Sequence, residues 1–262
     1  MTSITNALGT GAGIDSKAVV AELAAAAREG PDKALTAQVT SNTAKISGLA
    51  SIGATLAEFA DAFDTDAQDD TITTAKLINE FVTGLNQLRT LINTSMTPGA
   101  TPDVSGALLG DSGVRAVASA LSKLPSLALA GGATAQTLAG LGISTNRDGT
   151  LTINRVKMNA AIAADPTGIR TMLTAAGGLD AGLAAARDAV MASGGPLDLS
   201  TARYTRVAIT LTAAQEKVNT DNTKLIDRLT TSFALMDRQV ALIKASQAYL
   251  TQQIAAWNNT NN

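Results

Sequence analysis

Gly9, Gly11 and Gly13 alternate in the stretch GTGAGID, just ahead of an apolar run that begins at Ala18. A glycine-rich loop that opens a helix can grip phosphate, because its backbone N–H groups and the helix N-terminus both point at the anion. The spacing here does not supply that chemistry. The stretch lacks the lysine and hydroxyl of G-x-x-x-x-G-K-[ST], and its third glycine falls one position short of G-x-G-x-x-G. The preceding MTSITNAL does not read as the buried strand that a dinucleotide fingerprint needs. Residues 1–14 are therefore read as a flexible lead into the first helix.

Two further stretches carry residues of the right type for metal chemistry. In DTDAQDD, counting Asp64 as the first position of a calcium loop, Asp69 stands where the turn glycine belongs and Ala75 where the bidentate glutamate belongs. A surface connector explains that run better. Asn146-Arg147-Asp148-Gly149 fits a hairpin turn, since Asp-Gly tolerates positive φ. The chain has no cysteine and no histidine, which removes disulfides, thiolate nucleophiles and every triad or metal site built on imidazole. The many Ser and Thr hydroxyls have no imidazole to activate them. The sequence thus offers no catalytic, cofactor-binding or metal-binding residue, and a non-enzymatic protein is expected.

The elements around these stretches are helical. Of the 262 residues 45% are hydrophobic but only 3% aromatic, so the apolar content is alanine and small aliphatics that pack helices closely. Twenty basic against twenty-two acidic side chains leave a net charge of −2 with no basic block, which argues against nucleic acid and anionic membrane as partners. No apolar run approaches the roughly 18 residues that cross a bilayer. The N-terminus shows neither the charged start nor the apolar centre of a cleaved signal peptide.

Asp15 or Ser16 is expected to cap a helix to about Arg28, which Gly30-Pro31 interrupts. From there a heptad row runs Leu35, Asn42, Leu49, Leu56, Phe63, interleaved with Val39, Ile46, Gly53 and Ala60, and the acidic run ends it. Helices are predicted over 75–93, 112–124, 169–175 and 179–192, with a hairpin near 143–153 and a helix capped by Asn154 that ends before Asp165-Pro166. The last segment, from about Thr201, carries the clearest pattern. One row reads Ile226, Phe233, Val240, Gln247, Ile254, and the other Leu229, Met236, Ile243, Leu250, Trp257. The simplest way to bury two narrow stripes at opposite ends of a chain is to pair them as an antiparallel coiled-coil leg. The predicted fold is therefore mainly α: 1–63 as lead and N-terminal leg, 64–74 as connector, 75–200 as a helical middle domain with a hairpin, and 201–262 completing the leg. The rows from Ile226 to Trp257 are expected to pack against Leu35, Val39, Ile46, Leu49, Leu56 and Phe63, within a subunit or between neighbours.

Several segments in this order resemble one family. They are the glycine-rich start, GALLGDSGVRAVASAL (106–121), LAGLGISTNRDGTLTI (138–153), DPTGIRTMLT (165–174) and FALMDRQVALIKASQAYLTQQIA (233–255). Together they are similar to the flagellar filament capping proteins, also called hook-associated protein 2. The resemblance implies a leg-and-head subunit exported without a cleaved signal and placed at the distal tip of the bacterial flagellum. It implies a homo-oligomeric ring of about five subunits, a closed cyclic assembly, that retains exported flagellin and aids its folding and insertion. The export apparatus and a dedicated export chaperone are its other implied partners. The β-rich head that the family inserts after the N-terminal heptad helix is missing, since only DTDAQDDTITT separates Phe63 from Ala75. The competing reading is another helical adaptor of the flagellar or type III secretion axis, such as a hook–filament junction protein.

Overall fold

The computed structural model describes residues 15–98, 106–128 and 136–260; the expected lead at 1–14 lies outside them. The protein is mainly α. Its helices are α1 (Ser16–Gln68), α2 (Thr74–Met96), α3 (Ser112–Lys123), α4 (Arg155–Ala164), α5 (Pro166–Thr174), α6 (Leu179–Met191) and α7 (Pro196–Thr260). Strands β1 (Ile143–Thr145) and β2 (Leu151–Ile153) form a two-stranded antiparallel hairpin with Ser144 opposite Thr152. Two compact units result: one from the chain up to Val39 and from Ile209 onward, the other Thr40–Ala208.

Contrary to the sequence expectation, α1 does not stop at Gly30-Pro31 but runs through it. A proline inside a helix costs about 3 kcal/mol, through a lost hydrogen bond and a clash with the preceding turn. Two ion pairs brace this turn, Arg28–Asp32 and Lys33–Glu29, each at 2.5 Å and four residues apart. Such pairs contribute only a few tenths of a kcal/mol each. Ala27 and Pro31 are exposed and border one surface dent with Val218 and Leu225 of α7.

The Thr40–Ala208 unit holds the hydrophobic core. α2 turns Leu77, Phe81, Leu85, Leu88 and Ile92 to one side, the three- and four-residue spacing of an amphipathic helix. They meet Leu49, Ile52, Leu56 and Phe63 of α1, Val117 and Leu121 of α3, Ile169 and Leu173 of α5, and Leu183 of α6. Short polar residues start the helices: Thr73, Asp111, Asn154 and Asp165 each accept a hydrogen bond from a backbone N–H three residues on. The outer edge of β2 is closed by a side chain. Asn86 accepts from the Leu151 N–H at 2.6 Å and donates to the Leu151 carbonyl at 2.9 Å, imitating one rung of a ladder.

The acidic run does not end α1 at Phe63 either; the helix continues to Gln68, and the connector to α2 shrinks to residues 69–73. Arg170 of α5 holds it, donating to the carbonyls of Ala67 (3.3 Å), Asp69 (2.8 Å) and Ile72 (2.5 Å). A cation on the last carbonyls of a helix satisfies acceptors that have no partner within the helix and complements its dipole.

Phe59, Phe63 and Phe81 form one aromatic cluster, with centroids 5.5–6.5 Å apart. Gly84 makes room for it, because a Cβ there would lie 2.3 Å from the Phe59 ring. Gly84→Ala gains about 1 kcal/mol of helix propensity against an overpacking cost of about 1–3 kcal/mol. The expected net result is destabilisation, read as a lower urea midpoint with unchanged slope; an unchanged or raised midpoint would show that Phe59 swings away freely.

Candidate assembly surface

The unit built from the two ends of the chain is an antiparallel helix pair. Ser16 donates to Asp237 at 3.4 Å, while Ala27 and Pro31, further along α1, lie beside Val218 and Leu225, further back along α7. The face of α7 turned from solvent includes Leu211, which is buried, and Val218, Asn222, Leu225, Leu229, Phe233 and Val240, which are half-buried. Val20 and Ala24 are buried on α1, with Leu35 and Val39 half-buried after them. Several steps along these faces are four residues, as in Ser16, Val20, Ala24 or Leu225, Leu229, Phe233. Such a stripe follows a straight helix of 3.6 residues per turn better than the 3.5 of a strict heptad. Ile226 and Met236, which the heptad rows place in the seam, therefore sit at its rim, 37% and 36% exposed.

The heptad row of α1 divides between two environments. Leu35 and Val39 belong to the helix pair; Ile46 is half-buried in the other unit, and Leu49, Leu56 and Phe63 are buried in its core. They are thereby occupied within the subunit, with α2 and the middle helices as partners rather than the last turns of α7.

Those last turns are exposed to solvent. Beyond Asp237, which marks the level of Ser16 at the start of α1, α7 continues to Thr260, about 34 Å further at 1.5 Å per residue. Every residue from Ala241 to Trp257 is exposed. Among them are Leu242, Ile243, Tyr249, Leu250, Ile254 and Trp257, the last 72% exposed. Ile243, Leu250, Ile254 and Trp257 fall on one side of the helix by their spacing.

A group that sequence reasoning quoted but assigned no role anchors the start of α7. Asp111, in the GDSGVR block, has a side chain with no solvent exposure. It caps α3 through the Val114 N–H at 3.0 Å, accepts from the Ser200 hydroxyl at 3.0 Å and the Tyr204 hydroxyl at 2.8 Å, and pairs with Arg203. Burial pushes this carboxyl up, but the Val114 N–H, the two hydroxyls and the Arg203 guanidinium outweigh it and hold it below the usual aspartate range. Gly113 lets the two helices approach, since a Cβ there would lie 2.5 Å from the Pro196 carbonyl. The Asp-Ser-Gly run signals the cap; nothing local signals a partner in α7.

No cluster of three or more His, Cys, Asp or Glu that could hold a metal occurs among the described residues. No helix among them is long and apolar enough to cross a membrane.

Comparison with known proteins places these features. Residues 32–245 match the family described as flagellar hook-associated protein 2 C-terminus. The chain is 30% identical over 185 residues to the B-type flagellar hook-associated protein 2 of Pseudomonas aeruginosa, covering 68% of this chain and 38% of that protein. It is also similar to the D1-D2-D3 domains of the flagellar cap protein FliD from Escherichia coli, at 25% identity and a TM-score of 0.43, covering 51% of this chain and 36% of that one. The chain thus spans well under half the length of the curated relative it matches. With most of its length, from α1 into the exposed turns of α7, inside one family's pattern, the chain belongs to the flagellar hook-associated protein 2 family.

Proposed function

We propose that this chain is a minimal flagellar filament cap, a non-enzymatic protein that self-assembles at the distal tip of the filament. There it retains exported flagellin and promotes its folding and insertion. The observation that carries the reading is the exposed aliphatic stripe of α7 beyond Asp237 in a member of this family. A stripe left open by its own chain suits a protein completed by other copies and by the filament. The proposed partners are further copies in a ring of about five subunits, flagellin, the export apparatus and a dedicated export chaperone. The working residues lie on two surfaces: Leu35, Val39, Leu229, Phe233 and Val240 hold the leg together, and Ile243, Leu250, Ile254 and Trp257 meet the assembly.

Deleting the gene tests this. The expected outcome is flagellin monomer in the culture medium and cells without filaments, with a tagged copy restoring growth and labelling filament tips under the electron microscope. Normal filaments on the deletion strain would sink the reading, and label at the filament base would favour a junction protein.

A further inference from the structure

A groove about 470 Å³ in volume runs between α1 and α2. Its floor is aromatic, formed by Phe63 and by Phe59, whose ring lies against Gly84 of α2. Its rim is acidic: Glu58, Asp66 and Glu80 line it against a single cation, Lys76. Lys76 meets one oxygen of Glu80 at 3.2 Å, while the other oxygen is sealed from solvent with no donor. An apolar floor with an unsatisfied acceptor in its wall fits an apolar helix that brings positive charge.

The chain carries such a helix. From Arg238 to Trp257 the only charged residues are Arg238 and Lys244, both basic, and the aliphatic stripe of this stretch is exposed. From Ile243 to Ile254 the stripe is about 16 Å long, as is the groove from Thr55 to Asp66 along α1. Two tails packed on each other would bring like charges together; a tail in this groove brings opposite ones. We propose that the C-terminal stretch of α7 from one copy docks in the α1–α2 groove of a second copy, a head-to-tail contact. Such a contact joins different surfaces on the two copies, and repetition closes a ring wherever the rotation between copies allows. It rests on the homo-oligomeric reading above and gives that assembly its contact.

The chain has no cysteine, so single thiols report the contact. In a mixture of Thr83→Cys and Gln253→Cys chains, a short thiol cross-linker is expected to join one of each, while neither variant alone forms cross-linked dimers. Glu58→Lys with Asp66→Lys, both on the rim, is expected to weaken self-association about tenfold in sedimentation velocity. Arg238→Glu with Lys244→Glu in the partner copies should restore it, with circular dichroism unchanged throughout. Cross-linked dimers of Gln253→Cys alone would show tail-to-tail packing and overturn the proposal. A cross-link closing within one doubly substituted chain at every dilution, or displacement by purified flagellin, would overturn it too. A protein that labels filament tips without the Thr83–Gln253 cross-link loses only this contact; one that forms it in a strain whose filaments do not need the gene loses only the cap.

Discussion

Replacing Asp111 by alanine is expected to lower stability by about 3 kcal/mol, a large loss for one surface-distant carboxylate. The cap alone contributes about 0.5–2 kcal/mol, and a hydrogen bond to a charged group about 1.5–3. These contributions share one side chain and do not add. The Arg203 pair adds little, since that guanidinium is 46% exposed and screened by water. Ser200→Ala should cost less, because it removes one donor and leaves the cap. The pH dependence has a definite sign. The folded carboxyl is held below its ordinary range, so between the folded and unfolded pKa values the unfolded chain binds more protons. The contribution is therefore complete above the unfolded value, about 3.9, and is lost as pH falls through the folded one. Asp111→Asn should be less stable at neutral pH and lose less on acidification, in urea titrations at pH 7 and pH 3. Parallel losses in both proteins would remove Asp111 from the acid response.

Much of this fold is written locally. Asn154 and Asp165 announce α4 and α5 as caps, and Asp148-Gly149 announces the hairpin, with Gly149 at φ +83°. The face of α2 follows from its own spacing. What the sequence hides is choice of partner. Leu35 and Leu56 look alike in one heptad row, yet the first lies in the helix pair and the second in the core, because α2 supplies a second apolar face from elsewhere in the chain. Pro31 reads as a stop, yet α1 runs through it. Gly194-Gly195-Pro196 likewise reads as a boundary, but its proline is the first residue of α7, where a missing N–H costs nothing. Asp111 shows a cap in its neighbours' identities and conceals its bond to Ser200, 89 residues away. For the candidate surface, the rows point to α7; its division into a half-buried and an exposed stretch follows from where α1 begins.

That division makes the largest functional effect separable from folding. Ile243→Asp combined with Leu250→Asp changes two residues that are 60% and 58% exposed. The subunit should keep its stability to within about 0.5 kcal/mol, as surface substitutions do. Its assembly should fail: two aliphatic side chains buried between copies would supply about 3–6 kcal/mol, and a buried carboxylate without a partner costs more. Association weaker by more than about a hundredfold follows, read as monomer in sedimentation and as loss of motility in cells carrying only the variant. Phe233→Asp makes the contrast. Phe233 is half-buried in the helix pair, so this change should lower stability and assembly together, and its motility defect alone could not distinguish a broken leg from a broken interface. If the double variant assembles and swims normally while Phe233→Asp does not, the turns beyond Asp237 are not the assembly surface, and the leg acts through its closed half.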